Sequence, residues 1–507
     1  MRERLIGIDA GGTMTKAAMF DLAGQEMGCE RRANVTSFPE PGHTERDPDI
    51  MWRAACGAVR DLLAKTGTSP DDVAAVGTTG YGSGLFLVDR AGDPVRPGIG
   101  STDTRAAGLV ADWEAAGLAT SASELISQRV WAGQSLALLG WLARHEPEVL
   151  GRAHRIVLCK DFLRGRLCGD LSTDPTDAGI SGLFDVRSGR PATDVMELLG
   201  VSAWLQKVPE VKPSCEIVGR LTDAAAAQTG LRAGTPIIAG LVDVSASAFA
   251  SGVVEPSRIS VVAGTFSINS TLHQRPRTST LPFLQCAAPF DDSFLATEGG
   301  ATSAGNFEWV CRHFFDTEGL RAACGDRGIY DACNDLVAAA MQRPNNIFFL
   351  PFLFGGPGGA PAGLIGMSAD NTLGDVLRGV YEGVAFAHKR DIDILLSGAD
   401  ASRPQVARLS GGASRSAVWS QIFADTLGLP VEVMDGSEMG AKGVAMAGAV
   451  AIGAYPDLHA AADGMTRIAR RIEPRPERSA VLADKHSRYL ALCAALSPVR
   501  PAERAAA

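Results

Sequence analysis

Two aspartates lie beside glycine turns, each after an apolar, strand-like run. Asp9 follows Leu5–Ile8, and Asp243 follows Pro236–Ala239 and precedes a stretch of small, helix-forming residues. A carboxylate at the end of a buried strand, next to backbone that can approach a phosphate, is what a phosphotransferase requires. The alternative for Asp243 is that it only caps the helix that follows it. This stretch by itself leaves both interpretations open.

Two glycine-threonine turns repeat the same order of strand, turn and strand. One contains Gly11, Gly12 and Thr13, and the other, half a chain length further on, contains Gly264 and Thr265. Glycine allows backbone N–H groups to face an anion closely, so both turns are predicted to hold phosphate. Their spacing indicates an internal duplication. For the first turn, an ordinary hairpin with a capping aspartate is the structural alternative.

The first turn carries further groups suited to a nucleotide and its metal. Thr13 and Thr15 add hydroxyl donors, and Lys16 begins the predicted return strand. Asp9 beside this turn suits Mg²⁺ held through water, because Mg²⁺ prefers few carboxylates together with phosphate oxygens.

A third glycine segment joins the predicted strand Val406–Leu409 to a predicted helix over 417–426. It contains Gly411, Gly412 and Ser414. A helix that begins after such a segment offers free N–H groups and a close backbone approach to a nucleotide. The chain contains neither GxxxxGK[ST] nor a GxGxxG after a strand, which argues against Walker-type and Rossmann sites.

Several polar or aromatic residues are candidates for contacting a polyol. The stretch 77–84 holds four glycines and is predicted to be an open loop that presents Tyr81, Gly82 and Ser83. Asp103 lies on a polar loop with Arg105, and Trp131 precedes a predicted apolar helix. Each has a structural alternative: a plain glycine turn, a capping aspartate with a surface arginine, and a core tryptophan.

Other elements are predicted to be structural. Residues 48–66 predict an amphipathic helix, and 73–76 predict a buried strand. Residues 160–185 are interpreted as scaffold. His388, on a predicted helix over 373–397, has no partner at metal-ligand spacing and is expected to be structural.

The totals bound the class of protein. The chain has 507 residues, 46% of them hydrophobic and 21% charged, which indicates a globular protein of two or more domains. Its net charge of −9 argues against a nucleic-acid or membrane-surface partner. The ten cysteines include no CxxC pair and are expected to be reduced. With no signal-peptide pattern and no long apolar run, we expect a cytoplasmic protein.

The order of these motifs resembles the FGGY carbohydrate kinases, within the actin-like ATPase and sugar kinase superfamily, from Leu5 to about Leu496. The resemblance is carried by GIDAGGTMTKAAMFD, the pair Asp103 and Arg105, KDFLRGRLCGDLSTD, GLVDVSASAFASG, VVAGTFS, EGGATSAGNFEW, PFLFGG, YEGVAFAH, LSGGASRSAVWSQIFAD and EMGAKGVAMAGA. Within the family, GLFLVD, ATSAGNFEW and FFLPFLFG are most similar to L-xylulose kinases. The loop GYGSG departs from D-xylulose kinases, and Val244 stands where glycerol kinases carry glutamine.

The resemblance implies an α/β fold with two duplicated actin-like, ribonuclease H-like domains around a central cleft. It implies an N-terminal sugar-binding domain over 1–245, a C-terminal ATP-binding domain over 246–499 and a tail over 500–507. It also implies site roles, carried onto matching positions. Asp243 is the general base; Asp9 and Asp243 hold Mg²⁺; the nucleotide is held by Gly11, Gly12, Thr13, Thr15, Lys16, Gly264, Thr265, Gly411, Gly412 and Ser414; the sugar is held by Tyr81, Gly82, Ser83, Asp103, Trp131 and Asp243.

The resulting hypothesis is an ATP-dependent kinase of a small ketose or polyol, with L-xylulose or a related pentulose favoured. Erythritol, ribulose and D-xylulose remain open as substrates, and a homodimer is a family-based expectation. Two other classes remain as alternatives, an actin-like ATP-binding regulator without a sugar and a sugar-binding relic that catalyses nothing.

Overall fold

The computed structural model describes residues 3–290, 292–315, 328–398 and 403–497. The predicted tail, 500–507, lies outside the described residues. The strands are β1 Arg4–Ala10, β2 Met14–Phe20, β3 Glu26–Ala33, β4 Thr36–Ser37, β5 Glu45–Arg46, β6 Val73–Gly80, β7 Phe86–Val88, β8 Gly98–Ile99, β9 Arg155–Val157, β10 Ile217–Arg220, β11 Pro236–Ile238, β12 Arg258–Ala263, β13 Ser267–His273, β14 Leu284–Ala287, β15 Phe294–Gly300, β16 Phe348–Leu350, β17 Gly363–Ile365, β18 Val406–Ser410, β19 Val431–Met434 and β20 Ile468–Ile472.

The helices pack against these strands. They are α1 Pro48–Thr66, α2 Ala107–Ala115, α3 Leu118–Ile126, α4 Ser135–His145, α5 Pro147–Arg152, α6 Cys159–Cys168, α7 Pro175–Ser181, α8 Thr193–Leu198, α9 Asp223–Thr229, α10 Asp243–Ala250, α11 Ala304–Val310, α12 Ile329–Ala340, α13 Leu373–Leu395, α14 Ala417–Leu427, α15 Met439–Ala451, α16 Leu458–Met465 and α17 Pro476–Leu496. Helix α1 matches its predicted span, because Asp47 caps its first turn and Gly67, at φ 61°, ends it.

Two large sheets repeat one pattern of pairing, which confirms the predicted duplication. The N-terminal sheet has the order β10-β11-β6-β1-β2-β3, and the C-terminal sheet has β14-β15-β13-β12-β18-β19-β20. In each, an antiparallel hairpin (β1 and β2, or β12 and β13) is followed by parallel neighbours on the side of its first strand. The fold is therefore α/β with two related domains, and β14 is an addition to the second.

The carboxyl ends of the parallel strands carry the candidate site. Asp9 lies at the end of β1, opposite Thr79 of β6, and Asp243 follows β11 in the same sheet. In the second sheet Gly264 follows β12 and Gly411 follows β18. Parallel strands of one sheet end at the same edge, so each domain gathers its site residues at one edge.

Helix α15 joins the two domains by packing on the N-terminal sheet and on α10. Glycines allow the close approach. A Cβ on Gly7 would lie 2.0 Å from the Ala441 carbonyl oxygen, and a Cβ on Gly443 would lie 2.1 Å from that of Ala246. The predicted boundary at residue 245 falls inside α10, which contacts strands of both sheets, and it stays a prediction.

One element differs from its sequence prediction. The stretch 77–84 was expected to be an open loop, but its first half, through Gly80, continues strand β6. Residues 77–80 pair with β1 as far as Ala10, and this pairing keeps them in an extended conformation. Among the described residues no helix is long and apolar enough to cross a membrane.

Candidate active site

Asp243 is the first residue of α10, and Val242, not Asp243, occupies the N-cap position. Its side chain accepts a hydrogen bond from the Val244 amide at 2.7 Å, and the residue as a whole is only partly exposed. Burial raises the pKa of Asp243 to about 7; the negative charge of Asp9 adds to the rise, and the Val244 amide opposes it. A carboxylate with a pKa near the working pH is suited to accept a proton from a hydroxyl.

Asp9 faces the first turn of α15 from the end of β1. A Cβ on Gly440 would lie 3.0 Å from Asp9 Oδ2, so the glycine leaves room for the carboxylate. Oδ1 is buried and has no hydrogen-bond partner among the described residues. Burial raises the pKa of Asp9, Lys16 opposes the rise and Glu438 adds to it. A buried carboxylate oxygen without a donor is suited to a cation or its water shell.

The first hairpin is held by two side chains that the sequence did not indicate. Arg46 donates from Nη1 to the Gly11 carbonyl at 3.1 Å and from Nη2 to the Gly12 carbonyl. Asn34 donates from Nδ2 to the Gly11 carbonyl at 2.8 Å and accepts from the Thr15 hydroxyl at 2.7 Å. These hydrogen bonds hold the carbonyls of the turn, and the exposed tip of the hairpin keeps its N–H groups available for an anion.

The second hairpin meets the nucleotide segment predicted from the sequence. A Cβ on Gly411, whose φ is 88°, would lie 2.7 Å from the Ala263 carbonyl oxygen, so only glycine permits this approach. A Cβ on Gly305, in the first turn of α11, would lie 2.8 Å from the Thr265 carbonyl oxygen. The Ser414 hydroxyl donates to the Gly411 carbonyl at 2.7 Å and thus shapes the segment.

A cavity of about 530 Å³ opens beside this second hairpin. Tyr381 and Trp419 stack in its wall, with ring centroids 4.1 Å apart, and Phe307 packs edge-on against both. The residues around the cavity are Gly264, Thr265, Ala304, Gly305, Phe307, Glu308, Gly328, Tyr330, Asp331, Asn334, Tyr381, Gly412, Arg415, Ser416 and Trp419. Its apolar wall and its phosphate-type turn fit the two ends of a nucleotide.

Two predicted sugar contacts pack against aromatic or charged side chains. Trp131 belongs to the same apolar cluster as Val244 and packs on Phe283, with ring centroids 5.1 Å apart. Its Nε1 has no hydrogen-bond partner among the described residues. The Tyr81 ring lies under the Arg46 guanidinium, 5.0 Å from its centroid, and its hydroxyl is buried beside the Cys159 thiol.

Four other predicted contacts are hydrogen-bonded or closely packed within the protein. Both Asp103 oxygens are paired with the Arg105 guanidinium at 2.9 Å, and one also accepts from the Thr44 amide. Asp103 is thus part of a satisfied, buried ion pair, and its contact with the sugar stays a prediction.

Ser83 and Thr15 are likewise hydrogen-bonded within the protein, and their contacts with a ligand stay predictions. The buried Ser83 hydroxyl donates to the Ile180 carbonyl at 3.2 Å, and the Thr15 hydroxyl is used by Asn34. Gly82 packs against Ile180, whose Cδ1 would lie 1.9 Å from an added Cβ. Ser83 and Gly82 therefore contact Ile180 of α7, and Thr15 of β2 contacts Asn34.

The segment interpreted as scaffold forms a buried charged cluster behind Asp243. Lys160 Nζ pairs with Asp161 at 2.5 Å and with Asp174 at 2.9 Å, and all three side chains are fully buried. Arg164 pairs with Asp161 at 2.9 Å and donates to the Ala239 carbonyl, at the end of β11, at 2.6 Å. Removing one partner of such a cluster leaves an uncompensated buried charge, so the cluster holds its neighbours firmly.

This cluster reaches the candidate base through one hydroxyl. Thr176 Oγ1 donates to Asp174 Oδ2 at 2.7 Å and accepts from the Val242 amide at 2.9 Å. Val242 is the N-cap of α10, so the start of the Asp243 helix is anchored to α7. In the sequence, this contact could have been sought only in the run STDPTD, and nothing in that run indicates that α10 lies next to α7.

Two carboxylates of the C-terminal half form ion pairs with cations of the N-terminal half. Glu438, just before α15, pairs with Lys16 of β2 at 3.0 Å and with Arg31 of β3. Glu298 of β15 pairs with Arg129 at 2.5 Å. Lys16, predicted to contact the nucleotide, is therefore engaged by the opposite domain.

Among the described residues, no group of three histidine, cysteine or acidic side chains is placed to hold a metal ion.

Comparisons with known proteins agree with this geometry. The chain matches the sequence models of the FGGY family of carbohydrate kinases, with the N-terminal domain over residues 4–250 and the C-terminal domain over residues 259–452. It is 31% identical over 499 residues to the L-xylulose/3-keto-L-gulonate kinase of Escherichia coli (strain K12), and 98% of each chain is covered.

Other matches are similar in extent. An autoinducer-2 kinase of Photorhabdus laumondii subsp. laumondii is 28% identical over 491 residues, covering 94% of this chain and 91% of that protein. The crystal structure of xylulose kinase from Rhodospirillum rubrum has a TM-score of 0.85 at 25% identity and covers 98% of this chain and 99% of its own.

Proposed function

The chain belongs to the FGGY family of carbohydrate kinases, and from that premise we propose that it transfers the γ-phosphoryl group of ATP to a hydroxyl of a pentulose, L-xylulose or a close relative. The protein is an ATP-dependent carbohydrate kinase; the sugar and the residue roles are the proposal. The names of its relatives support a ketose acceptor and add 3-keto-L-gulonate and autoinducer-2 to the candidates. Family membership argues against a non-enzymatic regulator or relic.

The observation that carries the proposal is the placement of Asp243. Its helix contacts strands of both sheets, including both strands of the second hairpin, and Asp9 is close enough to raise its pKa. These contacts support the proposed position of Asp243 between a phosphate-type turn of each domain. In the proposed reaction Asp243 accepts the proton of the attacking hydroxyl, the hydroxyl oxygen bonds to the γ-phosphorus, and the bond to the β,γ-bridging oxygen breaks to release ADP.

The turns and the metal supply the electrostatic part. The N–H groups of Gly11 and Gly12 in one turn and of Gly264 in the other hold phosphate oxygens. Mg²⁺ fits Asp9, whose buried Oδ1 has no donor among the described residues, with Asp243 as the second carboxylate. When bound, the ion neutralises negative charge on the phosphates. The cavity beside Gly264 would hold the nucleoside, with the Trp419 side as its apolar wall.

In this proposal the sugar binds next to Asp243, against residues of the N-terminal domain. Trp131 offers an apolar face and an N–H that has no hydrogen-bond partner among the described residues, and Tyr81 offers a hydroxyl beside the Cys159 thiol. Domain closure would exclude water, which otherwise competes with the sugar as acceptor. A cytoplasmic location, a homodimer and the lack of a nucleic-acid partner stay predictions.

The test is ADP release by the wild-type protein with ATP and a panel of acceptors: L-xylulose, D-xylulose, ribulose, erythritol, 3-keto-L-gulonate and autoinducer-2. We expect Asp243→Asn to lower kcat about 10²–10⁴-fold, the usual contribution of a positioned base, with nucleotide affinity retained. Asp223→Asn is the matched control, because Asp223 also begins a helix but is exposed. No acceptor-stimulated ADP release would refute the proposed function, and unchanged turnover in Asp243→Asn would refute the role of Asp243.

A further inference from the structure

Helix α7 carries a second carboxyl group that the proposed chemistry leaves unused. The Asp177 side chain is fully buried, and neither of its oxygens has a hydrogen-bond partner among the described residues. Its nearest cation is Lys160, whose Nζ lies 3.8 Å from Oδ2 but is already bound more closely by Asp161 and Asp174. Buried carboxyls in folded proteins are almost always hydrogen-bonded, so a group with both oxygens free needs an explanation.

The surroundings of α7 indicate the explanation, because the elements of the candidate sugar pocket converge on it. At its carboxyl end, the Ile180 carbonyl accepts from the Ser83 hydroxyl at 3.2 Å and from Gln134 Nε2 at 3.4 Å. At its amino end, Thr176 holds the Val242 amide, next to Asp243.

Asp177 itself lies between these two contacts. It is electrostatically coupled to Asp243 and to Tyr81, since its charge raises the pKa of Tyr81 and the charge of Asp243 raises that of Asp177. We propose that Asp177 hydrogen-bonds a hydroxyl of the acceptor sugar and so sets which polyol is accepted. This inference rests on the proposed function.

The charge balance of the buried cluster supports this assignment. The three cations of the cluster are matched by three carboxylates, so a further negative charge on Asp177 would be uncompensated. The cations are Lys160, Arg164 and Lys212, and the carboxylates are Asp161, Asp170 and Asp174. A neutral carboxyl both donates and accepts, which suits a sugar hydroxyl that does the same. Burial is the main reason why the pKa of Asp177 lies well above its usual value, in agreement with a neutral group.

A site built around such a group should discriminate against a sugar that lacks the matching hydroxyl. The buried carboxyl would otherwise remain unpaired in the complex, which is costly. Truncating Asp177 should remove this discrimination, because the variant has no group left to satisfy.

The experiment is a cycle of enzyme variant and sugar analogue. It uses the best acceptor of the panel, its monodeoxy analogues, wild type, Asp177→Ala and Asp177→Asn, with kcat/KM, the KM for ATP and Tm measured for each. We expect one monodeoxy analogue to lose about 10–100-fold in kcat/KM with wild type and less than about 3-fold with Asp177→Ala. The KM for ATP should stay within about 2-fold, and Asp177→Asn should retain most of the discrimination, since an amide also donates and accepts.

The outcomes are separable. Asp194→Ala is the control, an exposed acid in the first turn of the neighbouring helix α8. If Asp177→Ala lowers Tm and kcat but discriminates among the analogues as wild type does, Asp177 is structural and the inference is overturned. If wild type phosphorylates no sugar, the proposed function fails, and the inference fails with it.

Discussion

The anchoring of α10 to α7 can be tested by replacing one hydroxyl with a methyl group. Thr176→Val keeps the volume of the side chain but removes the hydroxyl that joins Asp174 to the Val242 amide. Val242 is fully buried, so its N–H would lose its acceptor without gaining water. An unsatisfied buried amide costs about 1–3 kcal/mol of folding free energy, and the amide escapes this cost only if the start of α10 moves.

The kinetic consequence follows from that movement. Asp243 is the residue after Val242, and a misplacement of about 1 Å in a catalytic group can cost about 10²-fold in rate. We therefore expect kcat to fall about 10–100-fold, with the KM values for sugar and ATP within about 3-fold. Asp174 keeps the Ser214 hydroxyl, at 2.7 Å, as a donor, so the charged cluster itself should survive.

The assay is ADP release at saturating sugar and ATP, with Tm measured on the same preparations. About 2–4 °C of Tm is expected per kcal/mol lost in a domain of this size. Thr176→Ser is the matched control, since it restores the hydroxyl and removes only a methyl group, and it should retain most of the activity. Wild-type kcat in Thr176→Val, or equal losses in both variants, would show that the hydroxyl does not position Asp243.

The remaining predictions concern charge and packing. Below about pH 7, kcat/KM for the sugar should fall about tenfold per pH unit, because protonated Asp243 cannot accept a proton; a pH-independent rate would contradict this. Asp9→Asn should shift that acid limb to lower pH, since the charge of Asp9 raises the pKa of Asp243, and should raise the Mg²⁺ concentration needed for half-maximal rate; both are read from the same titrations. His388 is buried with a pKa of about 3, whereas the unfolded residue has a pKa of 6.5. Its contribution to the free energy of unfolding is therefore fully present above pH 6.5 and is lost as the pH falls towards 3. The loss is about 2 kcal/mol of unfolding free energy at about pH 5. In denaturant unfolding, His388→Gln should not show this part of the pH dependence. Gly443→Ala should lower both Tm and kcat, because a Cβ there would lie 2.1 Å from a backbone oxygen of α10, whereas Gly151→Ala, with open space around its Cβ, should change neither.

The sequence predicted the parts of the site that are local in the chain. Strand β1, Asp9 and the turn at Gly11 and Gly12 lie within nine residues, so the alternation of apolar and glycine residues was enough to identify them. The same holds for β12 with Gly264. The repeat of this pattern predicted two related domains, which the matching sheet orders confirm.

Long-range contacts were beyond the reach of the sequence. The hydrogen-bond partners of Asp103, Ser83 and Thr15, Arg105 aside, come from other elements, so only the fold shows that these groups are satisfied. Arg46 was missed for the converse reason, since it contacts the first turn from 34 residues away.

Residue type and order by themselves determined the family, the two-domain architecture and the carboxylate that follows β11. Tertiary structure alone decided which hydroxyl anchors the start of the helix that carries this carboxylate, and which buried acid, Asp177, is left without a donor among the described residues. The physical reason is that a strand and its turn are specified by neighbours in the chain, whereas the satisfaction of a buried polar group depends on which distant backbone and side-chain groups the fold brings to within hydrogen-bond distance of it.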